Sequence, residues 1–374
     1  MLPMSHRHVV RHAGGQDAAT PIANLPMRRD ARHRHAATRL PNVRVDSCNL
    51  ALREPDGEGF IGDRASQTAF RHLLDERRRQ HFTGDHDPFG RTPTHAISKR
   101  ELDLVLVGGD ADAAHLVHAA IEDHAERLAD VVRCFLSQPE WAGVKRIVIG
   151  GGFPGSRAGA LSVRRAARLL KLSRAGVDLS LLRHDGDDAG LLGWVPLVPA
   201  RVLDHDAFLA VDIGGTNIRC GIVAPRLDAR DDCSHATVLE RSQWRHAEEG
   251  TGRDAAIMRM AAMLNGLIAH ARTRNLRLAP FIGIACPGQI LRDGRIAHGA
   301  QNLPGDWEAD DFTVAGALAE HLDRIGRSRP VVRLHNDAVV QGLSERPRMQ
   351  AVTRWGVLTI GTGLGNASYT NRTR

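Results

Sequence analysis

The chain has 374 residues, 42% of them hydrophobic, a length that suits two medium-sized lobes better than one small domain. Its net charge is +7, but only 4% of its residues are aromatic, and its basic residues are almost all arginines spread along the chain. We therefore expect no nucleic-acid partner. The chain also lacks the long apolar run of a membrane span. Five widely spaced cysteines without a CxxC pair argue against a disulfide framework and indicate a cytoplasmic protein.

The first half of the chain begins with a polar segment and continues with helices. The first 45 residues are rich in arginine, histidine, alanine and proline, and they lack apolar periodicity, so we expect a disordered basic tail. Apolar spacing predicts a helix over 67–80 and a long amphipathic helix over 111–136. Ser98 and Glu101 have the spacing of a capping box, which predicts that another helix begins there.

A strand–turn–helix unit follows these helices. Residues 146–150 predict a short buried strand, and Gly151-Gly152 predicts a tight turn after it. A helix over 161–172 and a second strand over 177–182 complete the unit. The stretch 184–194 is a loop that leads into a short glycine-rich helix.

A second set of elements begins at Asp206. An apolar strand over 208–213 leads into the turn Gly214–Asn217, and a returning strand covers 218–223. Two sets of strand–helix units predict an α/β protein with two lobes. The later elements of this set are a helix over 253–273, strands over 281–286, 331–334 and 356–360, and a helix that starts at Asp337.

Two glycine-rich turns follow apolar strands. The first is Asp212-Ile-Gly-Gly-Thr-Asn217, whose glycines allow a close approach of the backbone to a phosphate and whose aspartate can hold a Mg²⁺-bound water. Standing alone, it is also compatible with an ordinary hairpin. The second is Gly361-Thr-Gly-Leu-Gly365. Two such turns, one on each lobe, predict a two-sided phosphate clamp.

A polar pair lies at a strand-to-helix junction in the second half. Asn336-Asp337 follows an apolar strand, and an aspartate in that place can act as general base for a hydroxyl nucleophile. The alternative is that the pair only caps the helix.

These motifs together, over 208–368, resemble the ROK sugar kinases, a family of actin-like, hexokinase-type ATPases. Asp212–Asn217 is similar to the family's first phosphate motif, and Gly361–Gly365 is similar to its second. Cys286–Gly288 and Gly299–Gly305 resemble the sugar-side loops of bacterial glucokinases. Asn336-Asp337 matches the pair that, in the family, binds sugar hydroxyls and deprotonates the attacking one.

Motifs in the first half resemble the end of a ROK chain, although here they precede the first phosphate motif. These motifs are Gly108–Asp110 with the long helix after it, Ile147–Gly152 and Asp188–Gly193. They resemble the segment of a ROK chain that contacts the adenosine. We therefore predict a two-lobed α/β fold with ribonuclease H-like lobes in circularly permuted order. The alternative is an ordinary kinase domain truncated after Gly365 and preceded by a stray fragment of another. The predicted segments are the tail over 1–45, a C-terminal-lobe-like adenosine side over 46–200, an N-terminal-lobe-like segment over 206–350, and a returning strand over 351–374.

Two family elements are missing from the sequence. The cysteine-rich CxCGxxGCxE run that binds zinc is absent, so we predict no structural zinc. The sugar-binding GE-x-GH element is also absent in recognisable form. In a permuted chain its place falls near Glu58–Asp63, so Glu58 or Asp63 is a candidate for the sugar carboxylate.

The resemblance implies an ATP- and Mg²⁺-dependent kinase that phosphorylates a hexose hydroxyl, with glucose to glucose 6-phosphate as the leading reaction. It implies Asp337 as the general base and Asp212 as the residue that positions Mg²⁺ through water. Sugar and ATP are the only partners it implies, in a monomer or a homodimer. The implied sugar ligands are Gly288, Asn302 and Asn336, and the implied nucleotide ligands are Asp212, Gly214, Gly215, Thr216, Asn217, Gly361, Thr362, Gly363, Gly151 and Gly152.

Two other functions remain open at the level of sequence. One is a catalytically weak sugar sensor or regulator that keeps the fold without a DNA-binding domain, which the missing zinc and sugar elements favour. The other is a kinase that uses polyphosphate in place of ATP, which the basic surface favours.

Overall fold

The computed structural model describes residues 34–81, 86–184, 186–227 and 234–372. The strands are β1 (Arg39–Leu40), β2 (Val43–Cys48), β3 (Arg146–Gly150), β4 (Asp178–Leu181), β5 (Ala207–Ile213), β6 (Ile218–Ala224), β7 (Thr237–Trp244), β8 (Leu278–Cys286), β9 (Val331–Asn336), β10 (Arg354–Ile360) and β11 (Leu364–Asn371). The helices are α1 (Gln67–His81), α2 (Lys99–Gly108), α3 (Ala111–Leu136), α4 (Arg157–Leu172), α5 (Gly186–Leu192), α6 (Ala200–Leu203), α7 (Arg253–Thr273), α8 (Val314–Ala319), α9 (Asp337–Leu343) and α10 (Arg346–Met349).

The strands form two mixed sheets with the same internal plan. Sheet I has the order β1-β2-β11-β10-β3-β4, and sheet II has the order β7-β6-β5-β8-β9. In each sheet a central strand, β10 or β5, pairs antiparallel on one side and parallel on the other. The expected α/β class with two sheets is therefore confirmed.

Three apolar clusters hold the sheets and helices together. One lies between sheet II and α7, and a second packs α1, α3 and α4 on sheet I. The third joins the two sheets and contains residues of α5 and α9. In it Trp355 stacks on Tyr369 at 4.0 Å between ring centroids, and the Tyr369 hydroxyl donates to the Val339 carbonyl oxygen at 2.9 Å. The helix that carries Asp337 is therefore fastened to sheet I as well as to its own strand.

Sheet I is assembled from strands that lie far apart in the chain. β1 to β4 precede all of sheet II, whereas β10 and β11 follow it. β11 pairs antiparallel with β2, with Asn371 opposite Val43. Beyond that pair, the Arg372 N–H donates to the Asn42 carbonyl oxygen at 2.8 Å. The end of β11 and the start of β2 are thus as close as the two arms of a hairpin.

Most predicted elements are present, and several boundaries move for identifiable reasons. α7 and α3 have the predicted bounds, and α2 begins with the predicted capping box of Ser98 and Glu101. α4 starts at Arg157 instead of 161, because the Ser156 side chain accepts a hydrogen bond from the Gly159 N–H and caps the helix earlier. β7 was not predicted, although its exposure alternates along most of its length, as in a half-buried strand.

The prediction of a disordered tail over 1–45 is wrong for its last part. Residues 34–45 include β1 and the start of β2, in which Val43 and Val45 are buried. The Ala36 N–H also donates to the Leu334 carbonyl oxygen of β9 at 3.0 Å. Long-range pairing orders this segment, which has no local periodicity of its own. Residues 1–33 lie outside the described residues.

No single helix in the described ranges is both long and apolar enough to cross a bilayer. α2 and α3 taken together are long and apolar enough, but a bend of 114° separates them.

Candidate functional site

The motifs lie at one edge of each sheet. β5, β8 and β9 are parallel, and their carboxyl ends lead into the Gly214 turn, the Gly288 loop and Asp337. β10 and β3 are also parallel, and they lead into the Gly361 turn and the Gly151 turn. Open α/β sheets bind ligands at the carboxyl ends of such strands. The candidate site is therefore the space between these two edges.

The two glycine turns face each other across this space. A Cβ placed on Gly215 would lie 3.5 Å from Asn302 Cβ and 3.9 Å from Thr362 Oγ1. The space beside Gly361 and Gly363 is open, since a Cβ on either would meet no atom within 4 Å. The structure thus brings the two turns and Asn302 together as a two-sided cradle.

The first turn is closed by its own backbone and supported from below. The Gly214 N–H donates to the Asn217 carbonyl oxygen at 2.9 Å, and the buried His246 ring is hydrogen-bonded to the Gly214 carbonyl oxygen at 2.8 Å. The Asn217 side-chain oxygen accepts from Gln243 at 3.1 Å. The tip of the turn, at Gly215 and Thr216, therefore presents the backbone that can meet an anion.

Asp212 lies under the first turn and is 3% exposed. Burial raises the pKa of its carboxyl to about 7, the nearby Arg219 opposes that rise, and the charge of Asp337 adds to it. Arg219 Nη1 is 3.3 Å from Asp212 Oδ2. A Cβ on Gly190 of α5 would overlap the Asp212 carboxyl group, so α5 closes the site from the other side.

Asp337 is the first residue of α9 and is less buried than Asp212. Burial raises the pKa of its carboxyl to about 6, although the Ala338 N–H donates to Oδ1 at 2.9 Å and counteracts part of the rise. The Asn336 amide Nδ2 donates to Asp337 Oδ1 at 3.1 Å and to the Gly288 carbonyl oxygen at 3.0 Å. These bonds orient Oδ1 of the carboxylate.

Asn336 and Gly288 both have structural roles beside Asp337. The Asn336 side-chain oxygen caps α9 by accepting from the Val339 N–H at 3.2 Å, so both ends of the amide are engaged. Gly288 has φ +93°, and a Cβ there would overlap the His298 carbonyl oxygen. Their direct contact with a sugar stays a prediction.

The end of β2 also reaches Asp337, which sequence reasoning missed. The charge of Asp337 contributes to the raised pKa of the half-buried Cys48 thiol, after burial itself. The Asn49 side-chain amide lies 3.1 Å from where a Cβ on Gly299 would be. Glu58 lies exposed in the loop that follows β2, and Asp63 lies exposed in the 3-10 turn Ile61–Ala65.

The hypothesis that Glu58 or Asp63 supplies the sugar carboxylate stays a prediction. The alternation of apolar and polar residues over 43–47 is the sequence signal that could have indicated β2. This pattern does not show that β2 pairs with β11, and that pairing is what brings the end of β2 towards Asp337.

A cavity of about 470 Å³ lies beside the Gly151–Gly152 turn of sheet I. Gly151 closes it against β10, since a Cβ there would lie 2.5 Å from the Ile360 carbonyl oxygen, immediately before Gly361. Leu104 and Val107 of α2 expose 59% and 66% of their area. Gly151 and Gly152, the residues expected beside adenosine, thus line a partly apolar cavity, and Gly151 packs on the residue that precedes the Gly361 turn. Its other lining residues are Lys99, Arg100, Asp103, Gly155, Ser156, Gly186 and Asp187.

Comparison with known proteins finds only partial likenesses. No protein-family model matches the sequence, and no curated protein matches it. Among solved structures, a candidate N-acetylmannosamine kinase from Listeria monocytogenes is 25% identical, with a TM-score of 0.32 over 44% of this chain and 47% of that one. The ROK hexokinase from Thermus thermophilus is 24% identical, with a TM-score of 0.31 over 43% and 45%.

A third structure, a candidate sugar kinase from Cytophaga hutchinsonii, is 18% identical, with a TM-score of 0.31 over 44% and 48%. This chain matches a little under half the length of each of these three structures. At TM-scores below 0.5 these matches are a partial likeness to sugar kinases, and they do not establish what this chain does.

Proposed function

We propose that this chain is a sugar kinase of the ROK type that transfers the γ-phosphoryl group of ATP to a hexose hydroxyl, with the 6-hydroxyl of glucose as the first candidate. The observation that carries the proposal is the pair of carboxylates, Asp212 and Asp337, beneath two glycine turns that face each other. Phosphoryl transfer needs this combination of positioning, charge neutralisation and a base for the hydroxyl.

Asp337 is the proposed general base. With a pKa of about 6 its carboxyl is largely ionised at neutral pH, yet it is a stronger base than an exposed aspartate. Asn336 holds Oδ1, so Oδ2 is the oxygen that would take the proton of the sugar hydroxyl. Asn302, next to Gly215 and Thr362, lies where a sugar hydroxyl would approach the transferred phosphoryl group.

Asp212 is the residue that would hold Mg²⁺ through a water molecule. Mg²⁺ in such sites is bound by one or two carboxylates together with substrate phosphates, and it keeps several waters. A single buried carboxylate under a phosphate turn meets that requirement, and no set of three or more metal-ligating side chains is found among the described residues. When bound, the cation neutralises charge on the transferring phosphoryl group. The expected absence of zinc stays a prediction.

We also propose that the chain order is a circular permutation of the ROK order. Three facts support it: both sheets follow one plan, sheet I takes β10 and β11 from the end of the chain, and Arg372 bonds to Asn42. In the alternative, a stray fragment followed by a truncated domain, β2 to β4 would have no reason to complete the sheet begun by β10 and β11.

The direct test is ADP release by the purified protein with Mg²⁺, ATP and a panel of hexoses and N-acetylhexosamines. We expect release that depends on one sugar, is lost in Asp337→Ala, and persists in Asp178→Ala, whose exposed side chain lies at the opposite end of sheet I. Sugar phosphate formation with polyphosphate in place of ATP tests whether polyphosphate is the donor. Saturable sugar binding without turnover would instead indicate a sensor.

A further inference from the structure

Lys99 is the first residue of α2 and lines the cavity beside Gly151 and Gly152. Its ammonium nitrogen Nζ donates to the Gly152 carbonyl oxygen at 2.7 Å. The chain has only three lysines, Lys99, Lys145 and Lys171, among 50 basic residues. Of the three, only Lys99 is half-buried, and Lys145 and Lys171 are exposed.

The ammonium of Lys99 has few polar partners in the described ranges. Among the residues in the described ranges, none places a carboxylate oxygen within 4 Å of Nζ, and the bond to Gly152 uses one of its three N–H groups. Burial lowers the pKa of Lys99, as does the nearby Arg71, while Asp187 partly opposes the change. A desolvated cation with one neutral partner is stabilised by an anion that binds beside it.

Lys99 also contacts the Gly151–Gly152 turn, which adjoins the strand end that leads into the Gly361 turn. Gly152 belongs to the turn that packs against Ile360, directly before Gly361. α1 begins at the same turn, where the Gln67 N–H donates to the Gly361 carbonyl oxygen at 2.8 Å and Thr68 Oγ1 donates to the Thr362 carbonyl oxygen at 3.0 Å. A phosphate chain that joins the turn to the cavity would therefore pass the ammonium.

The cavity wall suits a nucleoside at the other end of that chain. Arg100, Asp103, Leu104 and Val107 line it at spacings of three and four, so one face of α2 is directed towards it. Asp103 accepts from the Arg157 N–H at 2.9 Å and is already engaged. Leu104 and Val107 provide exposed apolar surface that an inorganic phosphate chain would not use.

We propose that Lys99 is a phosphate-binding residue, whose ammonium holds the phosphates of the donor between the Gly361 turn and the nucleoside cavity. This proposal rests on the proposed kinase function and extends it to a residue outside the recognised motifs. The competing role is purely structural, in which Lys99 only fastens the Gly152 turn.

Calorimetric titration separates the two roles. We expect Lys99→Met to raise the Kd of Mg·ATP about ten-fold or more, because a charge-assisted contact is lost, and to leave the Kd of adenosine unchanged. Lys99→Arg retains the charge and should recover part of the affinity, and Lys145→Met is the matched control without effect. A parallel loss of adenosine and ATP affinity in Lys99→Met, or no loss of either, would overturn the proposal.

Affinity labelling gives an independent readout. Adenosine diphosphopyridoxal carries an aldehyde in place of the terminal phosphate; a lysine amine adds to it with loss of water, and borohydride then reduces the imine to a secondary amine. We expect the label on Lys99, with protection by Mg·ATP, and mass spectrometry can assign it among three lysines. Label confined to Lys145 or Lys171, or no protection, would contradict the proposal.

The two proposals fail in different ways. If the wild-type chain does not bind Mg·ATP at all, the kinase function and the role of Lys99 fall together. If the wild-type chain binds ATP and phosphorylates a sugar, and Lys99→Met does both equally well, only the role of Lys99 is wrong.

Discussion

Sheets I and II share one strand plan, and each brings a glycine turn to the cleft between them, but they differ in the charged groups beside those turns. Sheet II adds two carboxylates to its Gly214 turn, the buried Asp212 and the half-buried Asp337. Sheet I ends in the Gly151 and Gly361 turns, with Lys99 beside them. The strand plan decides where the loops meet, whereas a few residues after each strand decide which charged groups stand beside the turns.

The two short helices between the sheets both carry carboxylates, but these differ in their partners. α5 follows β4 and α9 follows β9, so they occupy equivalent places. On α5, Asp187 pairs with Arg219 at 2.6 Å and Asp188 pairs with Arg241 at 2.9 Å. Among the described residues no arginine is paired with Asp337. Of the carboxylates on these two helices, Asp337 is thus the one that no arginine holds in an ion pair within the described ranges.

The largest expected effect compares these two helices. Asp337→Ala should lower kcat about 10²–10⁴-fold, the usual range for loss of a general base. Asp188→Ala, which removes only an exposed ion pair, should change kcat less than about ten-fold. Steady-state kinetics on the sugar found by the ADP-release assay measures both. Equal losses in the two variants would remove the distinction between the helices.

The next effect concerns the contact of α5 with Asp212. Gly190→Ala would place a methyl group on the Asp212 carboxyl, and we expect a loss of about 1–3 kcal/mol in the free energy of unfolding together with weaker Mg·ATP binding. Gly266→Ala, in α7 with open space around it, should be neutral or stabilising. Urea unfolding measures the stability of both variants, and calorimetry measures their affinity for Mg·ATP. Wild-type stability and affinity in Gly190→Ala would show that α5 does not close the site.

The pH dependence of stability follows from the raised pKa of Asp337. Its carboxyl has a pKa of about 6 in the folded chain against an ordinary 3.8, so the folded state binds the proton more tightly. The contribution of the protonated Asp337 carboxyl to the free energy of unfolding is fully present below about pH 4, and it is lost as the pH rises through about 6.

Asp337→Asn cannot ionise and should therefore be more stable than wild type at pH 7, by roughly 1–3 kcal/mol, with the difference vanishing near pH 4. Thermal unfolding across this range checks the sign. Asp178→Asn is the control, and a stability gain that is the same at pH 4 and pH 7 would contradict the raised pKa.

The smallest effect is expected from rearranging the segments into the order from which the proposed permutation would derive. A chain that begins at His205, runs to Arg372 and continues through a short linker from Asn42 to Asp204 keeps every strand except β1. We expect it to fold with unchanged Mg·ATP affinity, because Arg372 and Asn42 are already hydrogen-bonded, and with a stability loss confined to the missing 34–41 segment. A chain that fails to fold, tested by circular dichroism, would argue against a permuted fold.

The sequence by itself determined the α/β class, most strands and helices, and the residues at the strand ends. α7 and α3 were predictable because apolar periodicity is a local property, and α2 because Ser98 and Glu101 lie three residues apart. The glycine turns and Asp337 were found for the same reason, since each motif is contained within a few residues.

Only the tertiary structure decided which of these elements meet. Ser47 and Ser368 are hydrogen-bonded across 321 positions in sequence, and no local pattern encodes such a pairing. The same holds for the position of Asn49 beside Gly299 and of Lys99 beside Gly152. The raised pKa of Asp337 is likewise a property of burial by several elements, because desolvation depends on everything packed around a group and not on its neighbours in the chain.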